Sequence, residues 1–380
     1  MTGDRWRGLR ALSIVLVVAA LQGCASVPRA EPDASFRLRL IGERVIEHEL
    51  SFGGTVVGGL SGIDYDPATD LYYLLSDDRS RFSPARFYVA RLRFDASRFD
   101  DATLLRVVTL RRPDGSPFPA GDPRDVADGE SIRFDARSRQ LWWVSEGDRS
   151  RAIDPFVRAT TVDGRHVATL PLDPMFAMGV PKRGPRDNRA FEGLTLTPDG
   201  GALWVAMEGP LLQDGPMPTV NDGAWSRFSR HPRLPDGSFG ALSIQLAYPI
   251  DPLPDRPLLF AGLAINGVSE ILALDDDRLL VLERALVIGH GWRVKLFEAA
   301  LHGATDVRTR ASLADGASFT PMSKHLVLDF DSLGILVDNL EGMCFGPTLP
   351  NGRRTLVLVS DDNFNPGEKT QLLVFEIVPS

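Results

Sequence analysis

Cysteine is nearly absent from this chain: Cys24 and Cys344 are the only two in 380 residues. A disulfide framework and a cysteine-based metal site are thereby excluded. Cys344 sits in the apolar run Gly342-Met343-Cys344-Phe345, where a lone thiol serves as a small buried hydrophobe. Histidine is scarce as well. The six, His48, His166, His231, His290, His302 and His325, are scattered, and no His-Glu-x-x-His pair is there to hold zinc. No Gly-x-Ser-x-Gly nucleophile elbow occurs, since Gly59-Leu60-Ser61-Gly62-Ile63 fails at its last position. No glycine-rich phosphate loop is present. Long helical periodicity is missing, and so is any apolar run of the roughly 20 residues that a membrane span needs. The formal net charge of −8 argues against nucleic-acid binding and for a surface that attracts cations.

What the chain has in quantity is turn formers, 35 Gly and 28 Pro, beside a 43% hydrophobic content that is ample for a large core. That combination predicts an all-β protein. The N-terminus is a targeting segment: Arg5, Arg7 and Arg10 precede the eleven-residue apolar stretch Ala11 to Leu21. It ends in Leu21-Gln22-Gly23-Cys24, which resembles the lipobox of bacterial lipoproteins. That resemblance implies cleavage after residue 23, lipidation of Cys24, and a periplasm-facing envelope protein. Ala25 in place of aspartate favours the outer membrane. Removal of residues 1–23 takes away three arginines and Asp4, so the formal charge moves from −8 to −10. Residues 24–35 then form a polar tether and 36–380 a single domain, for which a monomer is expected.

One pattern organises the domain. Phe191 to Leu211 reads as two strands around the turn Pro198-Asp199-Gly200-Gly201, with Glu192 at the entry and Glu208 at the exit. The pattern recurs at Gly59–Ser80, Gly129–Ser150, Gly267–Ala285 and Asn339–Phe364. Ser61 and Asp77, Glu130 and Glu146, and Glu192 and Glu208 are all 16 residues apart. Glu270 to Glu283 is the shorter copy and Glu341 to Asp361 the longer. Successive copies start 62 to 78 residues apart, and two further strand candidates follow most of them. Four strands per repeat at this period is a β-propeller. The count predicts five blades, or six if one blade has lost its motif. The last copy is followed by one strand, Leu372 to Val378, so the N-terminal strand near Phe36 to Ile46 is expected to close the ring. Leu212 to Pro235, rich in Pro, Gly and Asp, is expected to be a loop, either solvated or a lid over the site.

In a propeller the entry of the innermost strand and the exit of the next lie on one face. Ser61, Glu130, Glu192, Glu270 and Glu341 should therefore ring one mouth, with Asp77, Asp78, Glu146, Glu208, Glu283, Asp361 and Asp362 just outside. So many carboxylates stay ionised only with cations or arginines nearby. Oxygen ligands suit Ca²⁺ first and Mg²⁺ second. The alternative is that these acids bond backbone amides of the next blade and only hold the ring together.

The motifs Phe191-Glu192-Gly193-Leu194 and Met207-Glu208-Gly209-Pro210-Leu211, with Leu282-Glu283-Arg284 and Val359-Ser360-Asp361-Asp362-Asn363, resemble the phytase-like family described as "esterase-like activity of phytase". The resemblance runs over roughly residues 55 to 375. It implies a propeller rich in Glu and Asp and a phosphoester or phosphodiester hydrolase activity. Ser61 departs from it, the other four copies carrying Glu there. On this basis Glu130, Glu192, Glu270, Glu341, Asp77 and Asp361 are expected to hold the metal. Arg79, Arg149 and Arg284 are expected to bind a small anionic substrate, and Glu208, Glu146 and Glu283 to act in catalysis. Two other readings stay open: a non-catalytic envelope propeller that binds a cation, ligand or protein partner, and a lactonase-type hydrolase, for which only His290 could supply the mouth histidine.

Overall fold

The computed structural model describes residues 35–119, 127–258 and 264–380. Five antiparallel four-stranded sheets form the blades of a β-propeller. Blade I comprises Leu60–Asp66, Leu71–Ser76, Arg86–Phe94 and Phe99–Thr109, and blade II Gly129–Asp135, Gln140–Ser145, Phe156–Thr161 and His166–Thr169. Blade III comprises Phe191–Leu196, Ala202–Met207, Ala224–Pro232 and Ile244–Ile250, and blade IV Ala264–Ala273, Arg278–Val287, Gly291–Ala300 and Ser323–Asp329. Blade V takes Leu340–Gly346, Thr355–Ser360 and Thr370–Pro379 from the C-terminus and Phe36–Ile46 from the N-terminus. Phe36 pairs with Pro379 and Ile46 with Thr370, so the two ends of the domain lock the ring as expected. Among the described residues no helix is long and apolar enough to cross a membrane.

The nearly continuous apolar second strands follow from this architecture. Side chains alternate across a strand, and each blade has a neighbour on both faces. In blade IV, Leu279 and Val281 enter the seam with blade III, while Leu280 and Leu282 enter the seam with blade V. Trp142 and Val144 of blade II face blade III, and Leu141 and Trp143 face blade I. Five such seams make up most of the core, and each fully buried large apolar side chain contributes about 1.5–3 kcal/mol. Cys344 lies in the seam between blades V and I, buried among apolar neighbours.

Every innermost strand carries a bulge near its start, at Ser61, Glu130, Glu192, Ser269 and Glu341. The extra residue is left unpaired and its side chain is re-aimed. The residue after it runs against the next inner strand. A Cβ at Gly62 would lie 3.0 Å from the backbone of Glu130, Ser131 and Ile132, and one at Gly342 would lie 2.8 Å from the Ser61 carbonyl. Glycine stands there in three blades, where the neighbouring inner strand comes too close for a Cβ.

The Leu212 to Pro235 expectation is corrected. Ala224–Pro232 is the third strand of blade III, and Phe228 is fully buried in the seam with blade IV. What precedes it is pinned rather than free. Asp214 takes both Arg227 Nε and Nη2, at 2.6 and 2.8 Å, and both side chains are entirely buried.

Candidate metal centre at the propeller mouth

The exit of each second strand is tied to the entry of the first. The backbone amides of Asp77, Glu146, Glu208 and Asp361 donate to the carbonyls of Gly59, Asp128, Ala190 and Asn339, at 2.7–3.1 Å. Entry and exit are thus held side by side in four blades, and in three of them (Glu130 and Glu146, Glu192 and Glu208, Glu341 and Asp361) both ends carry a carboxylate. Blade IV differs. Its bulge falls on Ser269, not Glu270, and Gly267 pairs with Arg284. At the two positions where the other blades concentrate acids, blade IV has Ser269 and Arg284.

The mouth gathers Asp77, Asp128, Glu130, Glu146, Glu192, Glu208, Glu341 and Asp361, seven of them buried and Asp77 partly so. Three groups are close enough to share an ion: Asp77, Glu130 and Glu341; Asp128, Glu130 and Glu146; Glu146, Glu192 and Glu208. In each, one carboxylate oxygen per residue lies within 4.8 Å of the others. Glu130 and Glu146 belong to two groups each, so the three form one arc.

Among the described residues cations are few by comparison. Arg284 Nη1 donates to Asn339 Oδ1 at 2.8 Å and to Glu341, and Nη2 reaches Glu208 Oε1 at 3.3 Å. Arg189 Nη1 lies 3.2 Å from the other Glu208 oxygen. Arg79 Nε lies 3.3 Å from Asp128, and Nη2 lies 3.5 Å from Asp148. Among the described residues none donates a side-chain or backbone hydrogen bond to the carboxylates of Asp77, Glu130 or Glu192. Glu341 Oε2 is buried without a partner.

The physical result is a set of acids held above their ordinary range. Burial is the first cause for Asp77, Glu130, Glu146, Glu192 and Asp361, and neighbouring carboxylates are the second. Asp128 is raised to about 7 by burial, against the pull of Arg79. Arg284 is held more firmly protonated, since the charges of Glu341, Glu208 and Glu192 outweigh its burial. Raised carboxyl pKa values clustered in a concavity mark a functional-site candidate.

Three residues expected at this site stand elsewhere. Glu270 plugs the channel below the mouth. Its Oε2 accepts from Arg133 Nη2 at 2.7 Å and from Ser131 Oγ at 2.8 Å, while Oε1 accepts the amides of Leu194 and Ile271. Arg133 also donates to the carbonyls of Ile63 and Ile271. One ion pair therefore binds the inner strands of four blades. Removing one partner of a buried pair typically destabilises by about 3–5 kcal/mol. Arg133→Met should therefore lower the denaturation midpoint strongly, and the double change with Glu270→Met should recover much of the loss. Glu283 faces blade III, held by Tyr248 of that blade and by Asn266 and Lys324 of its own. Arg149 is spent on the carbonyls of Val180 and Pro185.

Part of the acid row also closes the ring. Glu146 Oε1 accepts the Ala190 amide at 2.5 Å, and Asp362 Oδ1 accepts the Gly59 amide at 2.9 Å. Each bond links one blade to the next. Sequence reasoning did not single out Asp128, which enters two residues ahead of Glu130, or Arg189 and Asn339.

Fold and site define a five-bladed propeller with a buried, acid-lined mouth. The chain belongs to the phytase-like family, "esterase-like activity of phytase", whose model matches residues 55–364. No curated protein matches it. Several solved structures are similar in fold. An engineered GH43 glycoside hydrolase with endo-xylanase and exo-arabinofuranosidase activity aligns at 12% identity and TM-score 0.41, over 82% of this chain and 49% of its own. The catalytic domain of the GH62 α-L-arabinofuranosidase of Coprinopsis cinerea aligns at 10% identity and TM-score 0.41, over 90% and 98%. A putative oxidoreductase (glucose dehydrogenase) from Thermus thermophilus aligns at 15% identity and TM-score 0.37, over 89% and 99%.

Proposed function

We propose that the chain is a cation-dependent hydrolase of phosphate esters or diesters working at the acidic mouth. The observation that carries this reading is the uncompensated charge. Among the described residues eight carboxylates meet three arginines, and a buried oxygen of Glu341 faces its neighbours with no donor. An all-oxygen donor set of this kind fits Ca²⁺ first and Mg²⁺ second. Asp77, Glu130 and Glu341, joined by Asp128 and Glu146, are the residues that would hold the ions. A bound ion would neutralise the acids and polarise a phosphoryl oxygen.

The chain's own groups supply the rest. Arg79, partly exposed at the rim, orients an anion, with Asp128 on its Nε and Asn188 on its Nη1. Arg189 stands across the mouth beside Glu208. Glu208 is fixed between two arginines, which makes it a positioning group. Glu192, next to it and free of donors, is the acceptor for a proton from water. By the same reading the protein is an envelope lipoprotein anchored through Cys24, a residue outside the described ones.

The test is turnover of a phosphodiester, a phosphomonoester and a carboxyl ester with Ca²⁺ and with chelator. Chelation should abolish activity, and Glu192→Gln should lower kcat by about 10²-fold or more, the usual contribution of a general base. Chelator-insensitive turnover, or none above the Glu192→Gln level, overturns the reading. The blade-linking bonds of Glu146 and Asp362 favour the second reading, a non-catalytic cation-binding propeller. There Ca²⁺ would raise the melting temperature with no turnover of any ester.

A further inference from the structure

The rim beside the first ion group carries an aromatic pair that packing does not explain. Phe82 is 47% exposed. Its ring lies 4.7 Å, centroid to centroid, from that of Phe364, and the Arg81 guanidinium lies over it at 5.0 Å. Large apolar side chains scattered singly on a surface need no account. This pair is different, because the backbone is bent out of shape to build it. Asn363 and Phe364 sit at φ 48° and 51°, and Arg79 and Ser80 at 53° and 54°. An aromatic residue in the left-handed region is a genuine outlier, at a cost of about 1–3 kcal/mol per strained residue. Both loops leave the paired motif Ser-Asp-Asp, at 76–78 and 360–362, and the acids hold the strain. Asp361 accepts the Asn363 amide at 2.7 Å, and Asp362 accepts the Phe364 amide at 3.2 Å. Asp78 accepts the Arg81 and Ser83 amides.

The platform is also placed against the acids. A Cβ built on Gly59, itself at φ +60°, would lie 2.1 Å from Asp77 Oδ1 and 2.8 Å from Phe364 Cε2. Carboxylate and ring edge are thus no further apart than the sum of those distances. Gly58 is similarly pressed, with Phe364 Cε1 at 2.8 Å. Two glycines in succession let an aromatic edge approach a member of the ion group. Arg79, the rim cation, lies between Asp77 and Phe82 in the chain. A cation-holding acid group, an arginine and an exposed aromatic face therefore succeed one another along a single edge of the mouth.

We propose that Phe82 and Phe364 form a stacking platform for the substrate, and that the preferred substrate is a phosphate ester bearing a planar aromatic ring, of the aryl or nucleoside class. The phosphate lies at the ion-loaded acids with Arg79, and the ring lies on Phe82. This rests on the reading of the mouth as a phosphate-ester site. Base-on-aromatic stacking is sequence-tolerant and strong enough for roughly a tenfold effect on affinity.

The experiment compares binding of 5′-AMP and glycerol phosphate to the full Ca²⁺-loaded protein by calorimetry, with turnover of both followed in parallel. The expected result is roughly tenfold tighter binding of 5′-AMP. Phe82→Ala should bring the ratio of the two affinities to about one, and Phe82→Trp should keep or raise it. Phe82 is exposed and supports no seam, so both variants should melt with the parent. Equal affinities in the parent, no binding of 5′-AMP, or a ratio unmoved by Phe82→Ala would each overturn the platform. Turnover without a preference would strike the platform and leave the hydrolase reading standing. A preference without turnover would do the reverse.

Discussion

Stripped of divalent cations, the protein should lose stability as pH rises from about 5 through 7, the opposite of ordinary acid denaturation. The cause is the mouth. Asp77, Glu130, Glu146, Glu192 and Asp361 are raised by burial and by one another, and Asp128 is raised to about 7. An acid with a higher pKa folded than unfolded holds its proton preferentially in the folded state. Its contribution is full below the unfolded value and is lost as pH climbs through the folded value. The window therefore opens just above the ordinary carboxylate range and extends past 7. A tenfold change in a group's proton affinity on folding is worth about 1.4 kcal/mol, so several groups together dominate the profile. Carboxylates held low titrate beneath this window. Asp148 is one, its burial outweighed by the Ser150 hydroxyl and the Arg151 charge. Chemical denaturation between pH 5 and 8 with chelator should show the fall, and saturating Ca²⁺ should flatten it, because an ion stabilises the fold by RT ln(1 + [L]/Kd). A cation-free profile that rises to neutral pH would mean that the acids are compensated in some other way.

Much of this was legible in the sequence, and the places where it was not can be traced to particular residues. The propeller, its five blades and the closing strand followed from acid-strand-turn-strand-acid repeats and from the lone strand after the last copy. The register of blade IV did not. Glu270 precedes an apolar run just as Glu192 does, yet the residue that matters is the one that takes the bulge, and a one-residue slip sends every side chain to the other face. The signal was present. Ser61-Gly62-Ile63 matches Ser269-Glu270-Ile271, with Glu270 in the position that Gly62, Gly193 and Gly342 fill. Aligned that way, Glu270 points into the crowded channel with Arg133, and Arg284 falls where Asp77, Glu146, Glu208 and Asp361 stand. Ala224–Pro232 was hidden for another reason. Its flanks are so rich in proline and glycine that composition masked a strand whose support is the buried Asp214–Arg227 pair.

Arg284→Met should be the most informative single change, because blade IV supplies a built-in cation where its neighbours supply acids. The guanidinium is buried against Trp292, 5.3 Å from its ring, and its two ends serve blades V and III through Glu341, Asn339 and Glu208. Methionine keeps the bulk and removes the charge. At neutral pH without divalent cations, Glu341 then faces the other acids unrelieved, and Glu208 keeps only Arg189. Loss of one partner from a buried pair predicts a destabilisation of about 3–5 kcal/mol. Two further readouts separate this from a packing defect. The destabilisation should shrink toward pH 5, where the mouth acids take up protons. Ca²⁺ should bind more tightly to Arg284→Met than to the parent, since the ion no longer competes with a resident charge. Arg284→Lys should fall between, keeping the charge but losing the planar fork that spans Glu341 and Glu208. If Arg284→Met were as stable as the parent at pH 7.5 under chelation, or bound Ca²⁺ no better, Arg284 would not be the counter-ion of the mouth. The acid ring would then owe its stability to the blade-linking bonds of Glu146 and Asp362.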